Sequence, residues 1–203
     1  MKRHLPIMVE RAIAEVKALQ TEVGSGFEGQ VRQERAVSCK VGCSNCCHHP
    51  FLVTLPEGLL LYRWLSTHGR WTPSLRKRIE ETRDKTLGLA FRVWLLSNIP
   101  CPLLEDHKCL AYEARPLHCR TTFSRGDPEM CHPHELGSSA GIIPNTEVII
   151  SYNNQLLALL KRLGLQGSLM PLAEAVLIGE AVDSGKIEIE ESALQHAKDL
   201  FGA

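Results

Sequence analysis

The sequence predicts a mainly α-helical fold, a single helical domain over residues 1–203 with a cysteine-rich irregular region. Three observations support this prediction. Apolar residues recur at helical spacing in the first and last thirds of the chain. Two segments carry the proline-bearing signature of a helix start, and eight cysteines are concentrated within about residues 38–131. The length fits one domain, and a composition that is 44% hydrophobic suffices for a core without disulfides.

The first predicted helix covers residues 6–22. Apolar residues recur there at helical spacing, with charged residues between them: Ile7, Val9, Ile13, Val16 and Leu19. Three glycines follow within residues 23–29, and because glycine weakens a helix interior, they predict a break.

Two further helices begin at recognisable caps. Residues 54–57, Thr-Leu-Pro-Glu, form a capping box with proline in the first turn, which predicts a helix to about Thr67. The Thr-Pro pair at 72–73 begins another helix, which we expect to run to about Leu95. Gly88 weakens that helix but does not end it in this interpretation.

Prolines make the segment from 98 to 125 irregular, and helices resume beyond it. Within and just after this segment we expect a hairpin around 105–108, a helical turn over 112–115 and a turn beginning at Asp127. The C-terminal helices are expected within about 146–201, as segments 147–163, 171–182 and 191–201. Helices therefore flank two cysteine-bearing segments, which we expect to meet on one side of the bundle.

The cysteines predict a metal site. Four thiols lie within nine residues and four follow far downstream, and we take all eight as candidate metal ligands: Cys39, Cys43, Cys46, Cys47, Cys101, Cys109, Cys119 and Cys131. Thiolates select zinc, Cu(I) or iron–sulfur clusters. The alternative, a disulfide framework, is typical of short secreted chains with inadequate cores, which this sequence does not resemble.

Composition excludes several classes of partner. The basic start lacks the apolar stretch of a signal peptide, so we expect a cytoplasmic protein. No apolar run approaches the roughly 18 residues of a membrane span. Lys+Arg and Asp+Glu balance at 23 each, so no net field attracts nucleic acid. The basic run over residues 70–83 contains interleaved acids and predicts a solvated helix face.

The number of metal centres stays open at this point. Eight thiols can build two four-thiolate sites, or one cluster with spare thiols, and ligand count does not separate zinc from [4Fe–4S]. Cys46 and Cys47 are adjacent, and neighbours in extended backbone point to opposite sides. We therefore expect these two to serve different centres, or one of them not to be a ligand.

Charge supports the placement of the cofactor. Four thiolates around Zn²⁺ or a 2+ cluster leave a formal charge of about −2, which needs nearby cations when buried. Arg115 and Arg120 lie beside the downstream cysteines, and we expect them to stabilise the cofactor from outside its ligands. The histidines near the cysteines are expected to donate hydrogen bonds or to be exposed rather than to ligate: His48, His49, His118, His132 and His134.

The cysteine pattern resembles a known family. The run Cys39-x3-Cys43-x2-Cys46-Cys47, then Cys101-Pro-Leu-Leu and the run from Cys109 to Arg120 are similar to the bacterial cysteine-cluster family of zinc- or iron-chelating domains, of the CxxCxxCC type. Three residues separate the first two cysteines here where the family usually has two, a tolerated variant. The resemblance implies metal chelation by these cysteines.

The same resemblance bears on the cofactor and the activity. Flagellin lysine methylases, which are larger, carry a similar cysteine motif, and this places an iron–sulfur cluster ahead of zinc. It also suggests an alternative, a cluster-dependent enzyme such as a lysine methylase-like modifier of protein side chains, for which no catalytic residue is identified. A third alternative is a structural zinc module that mediates interaction with a protein partner.

Two further patterns are weaker. The spacing of Cys39, Cys43 and Cys46 matches radical S-adenosylmethionine enzymes, but those need strand–helix repeats that the sequence lacks. The glycines at 24–29 match a dinucleotide-binding pattern without the preceding strand that such a site requires.

Overall fold

The computed structural model describes residues 7–33, 39, 42–123, 127–131, 146–162 and 169–187. Within these ranges the fold is mainly α-helical, as predicted. The helices are α1 Ile7–Gln33, α2 Leu55–Thr67, α3 Pro73–Thr86, α4 Phe91–Leu96, α5 Leu117–Arg120, α6 Thr146–Arg162 and α7 Leu172–Asp183. The predicted helix over 191–201 lies outside the described residues. His132 and His134 also lie outside them.

Short strands join distant parts of the chain. Strand β1 Leu52–Thr54 pairs antiparallel with β4 Leu169–Pro171, and β2 Leu104–Glu105 pairs with β3 Lys108–Cys109. The β2–β3 hairpin was predicted, whereas the β1–β4 pair was not. Because the pair is antiparallel, and β1 leads directly into α2 and β4 into α7, the two helices begin at opposite ends of this short pair.

Helices α2 and α7 pack closely through two glycines. A methyl group added at Gly58 would lie 2.4 Å from the carbonyl oxygen of Ala175, and one added at Gly179 would lie 2.8 Å from the Cα of Leu59. Such distances are far below van der Waals contact, so only glycine allows this approach. Leucines of α2 beside this contact are fully buried.

One hydrophobic core spans the described helices. It takes side chains from α1, α2, α3, α6 and α7, including Val16, Leu59, Ile79, Leu160 and Val176. The fold class predicted from helical periodicity is confirmed by this shared core. No helix among the described residues is long and apolar enough to cross a bilayer.

The predicted helix starts are confirmed. Thr54 and Glu57 form a reciprocal capping box at the start of α2, and Thr72 accepts a hydrogen bond from the backbone N–H of Leu75 at 3.2 Å at the start of α3. The basic run on α3 makes the expected i,i+4 pairs, with Arg76 2.6 Å from Glu80.

Two helix boundaries differ from the predictions. Helix α1 continues through the glycines at 23–29 to Gln33, and Val23 at their start is 6% exposed in the core. The intrinsic cost of a helical glycine, about 1 kcal/mol, does not end the helix here. The helix expected to reach Leu95 ends at Thr86, because Gly88 adopts a left-handed conformation with φ +73°, and a separate helix begins at Phe91.

Candidate metal centre

Six of the eight cysteines line one cavity of about 240 Å³. Three come from the early loop and three from the downstream segment: Cys43, Cys46, Cys47, Cys101, Cys109 and Cys119. None of the eight cysteines forms a disulfide. The two cysteine segments thus meet on one side of the helices, as the order of elements along the chain predicted.

Direct hydrogen bonds hold the two segments together. The backbone N–H of Cys101 donates to the carbonyl of Cys47 at 2.7 Å. The Ser44 hydroxyl also lies 3.3 Å from the ring nitrogen Nδ1 of His107, which lines the cavity. The early loop is also tied to the 127–131 segment, since the Asn45 side-chain amide donates to the carbonyl of Pro128 at 2.7 Å.

A 3₁₀ turn over Asn45–His48 sets the orientation of the adjacent cysteines. The backbone N–H of Cys47 donates to the carbonyl of Ser44 at 2.8 Å, which closes this turn. The expectation that Cys46 and Cys47 point to opposite sides is therefore wrong, because it assumed extended backbone. Both thiols line the same cavity and hydrogen-bond each other. Whether both ligate a metal stays a prediction.

Two small elements present the downstream thiols. Cys109 ends the β2–β3 hairpin, whose turn residues Asp106 and His107 both have positive φ, +47° and +60°. A two-residue hairpin turn of this kind requires left-handed backbone. Cys119 lies on α5, a helix of four residues that follows Pro116.

Four of the six thiols form a mutually interacting set, which we call the thiol tetrad: Cys46, Cys101, Cys109 and Cys119. Each member interacts electrostatically with the other three. Burial raises the pKa of Cys101 to about 12 and raises the pKa values of Cys109 and Cys119. The pKa of Cys46 is raised by its hydrogen bond to the Cys47 thiol and then by burial. Without metal, all four are thiols at neutral pH.

The thiols lie around the wall of the cavity. Among the described residues, no three Cys, His, Asp or Glu side chains have the spacing of ligands around a single ion. A tetrahedral zinc ion and a [4Fe–4S] cluster each usually take four cysteine ligands, so the cavity wall holds enough thiols for either.

Cys39 and Cys131 are not part of the cavity wall. Cys131 is only 5% exposed, and its carbonyl accepts a hydrogen bond from His49 Nε2 at 2.5 Å. Cys39 is half-buried against the hydrophobic core. Their prediction as ligands is not tested by this arrangement, in which neither lines the cavity wall.

Arg115 is a cation of the cavity wall that acts on several of the thiols. It lines the cavity, its guanidinium lies 3.6 Å from the centre of the Tyr112 ring, and it lowers the pKa values of Cys46, Cys109 and Cys119. This opposes the effect of burial, so Arg115 favours the thiolate forms that a metal requires.

Arg120 does not line the cavity but contacts the backbone of the segment that carries Arg115. Its Nε donates to the carbonyl of Arg115 at 2.9 Å and its Nη2 donates to the carbonyl of Glu113. It lines a separate groove beside α1 and α2. Arg120 therefore holds the backbone from which Arg115 projects. The role expected of Arg120, to stabilise the cofactor from outside the ligands, stays a prediction.

Sequence reasoning missed two basic residues near the site. Arg78, which was assigned to a solvated helix face, lowers the pKa of Cys101 and lies 3.4 Å from Glu105 of the hairpin. Lys108 lines the cavity. Basic and acidic residues alternate on α3, so nothing in the sequence separates Arg78 from the solvated face. For Lys108, its position next to Cys109 could have indicated that it lies at the site.

The described histidines near the cysteines lie outside the cavity wall, except His107. His49 donates to the carbonyl of Cys131, and burial lowers its pKa. The ring of His118 packs 5.0 Å from that of Phe51 and hydrogen-bonds the backbone of Leu52, and burial lowers its pKa. These contacts agree with the expected role of donors.

Comparison with known proteins identifies the family. Residues 38–137 match the family described as "Putative zinc- or iron-chelating domain", CxxCxxCC. The chain belongs to this family through that region, which holds all eight cysteines. No curated protein and no solved structure matches the chain significantly. The region is a metal-chelating module, and its cavity is the place in the described structure where thiols gather.

Replacing Arg120 with alanine is expected to weaken metal binding without abolishing it. The carbonyls of Glu113 and Arg115 lose their donor, so Arg115 is held less firmly over the thiols. Losses of this indirect kind typically cost about 10–100-fold in metal affinity. Competition with a chelator measures the change. Arg76→Ala is the matched control, because Arg76 pairs with Glu180 and does not line the cavity, so its loss should leave affinity unchanged. An unchanged affinity in Arg120→Ala would remove Arg120 from the site.

Metal binding is expected to release about one proton per ligand thiol, about four in all. The reason is that thiol pKa values normally lie above neutral pH, and burial raises those of Cys101 and Cys119 further, so the metal must displace protons. Affinity should accordingly rise with pH through the neutral range. Titration of the metal-free chain with Zn²⁺ in weak buffer, followed with a pH indicator, measures the release. A release of one proton or none would contradict the assignment.

Proposed function

We propose that this chain holds a [4Fe–4S] cluster through the thiol tetrad of Cys46, Cys101, Cys109 and Cys119. The observation that carries the proposal is the single cavity in which thiols from two distant segments interact pairwise. A [4Fe–4S] cluster usually takes four cysteine ligands, which is the number in the tetrad. Cys43 and Cys47 share the cavity wall as supporting thiols, or as substitute ligands.

The surroundings of the tetrad support a cluster. Phe51, Leu61, Leu103 and Leu172 line the same cavity, so apolar side chains shield the site from water. Arg115 and Lys108 supply positive charge at the wall, and Arg78 adds more near Cys101. The charge of about −2 on a four-thiolate cluster needs such neighbours. When bound, the cluster supplies one-electron redox chemistry or a structural link between the two segments.

Zinc is the second candidate, favoured by the family's description, which names zinc or iron. A tetrahedral zinc ion would hold its sulfurs about 3.8 Å apart, and the six thiols on the cavity wall would suffice for it as well. The similarity of the cysteine motif to that of flagellin lysine methylases places the cluster ahead of zinc in this proposal.

A protein partner or substrate is part of the proposal. Tyr112, His107 and Lys108 are exposed and also line the cavity, so a second protein can reach the cofactor at this rim. Access of a second protein at this rim would serve both an enzyme that modifies protein side chains with the cluster and a module that binds a protein partner.

Metal and sulfide analysis of anaerobically purified protein tests the proposal. We expect about four iron and four acid-labile sulfide per chain, with broad absorption near about 400 nm. The Cys131→Ser variant, prepared in parallel, should give the same values, because its thiol lies outside the cavity wall. A colourless protein with one zinc per chain would replace the cluster with the structural zinc alternative.

A further inference from the structure

Glu57 is a buried carboxylate that contacts three parts of the fold. It is 4% exposed in the first turn of α2. Its Oε2 accepts hydrogen bonds from the backbone N–H and the hydroxyl of Thr54, both at 2.9 Å. Its Oε1 accepts from the side-chain amide of Gln20 on α1 at 3.4 Å and from the backbone N–H of Leu117 at 3.0 Å. All four partners donate, which suits an ionised, acceptor-only carboxylate.

The contact with Leu117 reaches the metal centre. Leu117 is the first residue of α5, the helix that carries Cys119. That helix follows Pro116, which has no side chain that could cap it, and at four residues it is too short to be stable alone. Its first N–H group is satisfied by Glu57, 60 residues away in the chain. Capping of this kind stabilises a helix start in other proteins.

We propose that Glu57 is a positioning residue for the metal centre: one carboxylate caps both α2 and α5, and so holds Cys119 in place against the helical core. The inference rests on the proposed function, since it assumes that Cys119 ligates the cofactor. The capping box predicted from sequence accounts for Oε2 only. The second oxygen, Oε1, accepts from the backbone N–H of Leu117 instead. Through this hydrogen bond the buried start of α2 helps to retain the cofactor.

The Glu57→Gln variant tests whether Glu57 links α2 to α5. It keeps the size of the side chain but leaves a single acceptor oxygen, so the donors of Thr54 and Leu117 can no longer both be satisfied. We expect iron to leave the purified protein about 10–100-fold faster in the presence of an iron chelator. We also expect faster hydrogen exchange at residues 117–120 and an altered visible circular dichroism of the cluster. A purely structural cap on α2 would change neither the exchange at these residues nor the cluster signal.

Thr54→Val is the matched control. It removes the hydroxyl that caps α2 and donates to Oε2, but it leaves the bond between Glu57 and Leu117 intact. It should lower the melting temperature with no change in iron release. Equal iron release in Glu57→Gln and Thr54→Val would overturn the proposal.

A second pair of variants covers the case in which Glu57→Gln does not fold. Leu117→Pro removes the same hydrogen bond from the donor side at a helix position that tolerates proline, and Leu117→Ala removes a similar part of the side chain but keeps the N–H. We expect faster iron release from the proline variant, and equal rates would overturn the proposal. Wild-type protein without bound metal would overturn the proposed function, whereas hydrogen exchange at residues 117–120 would still decide whether Glu57 holds α5.

Discussion

Cys119→Ser is expected to abolish cluster binding. Cys119 interacts with the three other members of the thiol tetrad, and serine replaces a soft thiolate with a hydroxyl of much lower affinity for iron or zinc. We expect the iron content of the anaerobically purified variant to fall by at least about tenfold, with loss of the visible absorption. Iron and sulfide per chain are the measurements.

The matched control for this variant is Cys131→Ser. Cys131 is a buried cysteine close to the site, bonded through its carbonyl to His49, but its thiol does not line the cavity. It should keep full iron content. Full iron in Cys119→Ser would remove this cysteine from the ligands, and loss of iron in Cys131→Ser alone would move the centre toward the 127–131 segment.

Gly58→Ala is expected to destabilise the protein more than adding a methyl group at any other helical glycine whose surroundings the structure describes. The added carbon would lie 2.4–2.6 Å from backbone and side-chain atoms of Ala175, so α2 and α7 would have to separate. Overpacking of this kind costs about 1–3 kcal/mol and sometimes more, a large share of a small domain's stability. Chemical denaturation followed by far-ultraviolet circular dichroism measures the loss.

Gly26→Ala is the control for a helical glycine with open space. An added methyl there has no neighbour within 4 Å, so the change should stabilise the protein by about 0.5–1 kcal/mol through the higher helix propensity of alanine. If Gly58→Ala were as stable as the wild type, the close approach of α2 and α7 would be incorrect.

Local signals predicted most of the helical fold. The capping box at Thr54 and the Thr-Pro pair at 72–73 are decided by residues within one turn, so the sequence shows them directly. The pairing of β1 with β4 depends on residues more than 100 positions apart, and neither three-residue strand has a pattern of its own. The end of α3 depends on the backbone conformation of Gly88, which is left-handed. A glycine that ends a helix in this way and a glycine that a helix tolerates look the same in a sequence.

The site was predicted in outline and not in detail. Soft ligands in two segments indicated a shared metal centre, and the structure places six of the eight cysteines around one cavity. The membership of the thiol tetrad could not be read from spacing, since it depends on the 3₁₀ turn at Cys46 and on the hairpin that carries Cys109. The second oxygen of Glu57 was hidden for a similar reason, because its partner, Leu117, is distant in sequence.

The most direct test of the central claim is X-ray absorption spectroscopy at the metal edge of the purified protein. We expect a first coordination sphere of about four sulfurs at about 2.3 Å, with a metal–metal distance beyond it that identifies a cluster. The same measurement on Cys119→Ser should show loss of the signal. A first sphere dominated by nitrogen or oxygen at about 2.0–2.2 Å would contradict thiolate ligation by Cys46, Cys101, Cys109 and Cys119.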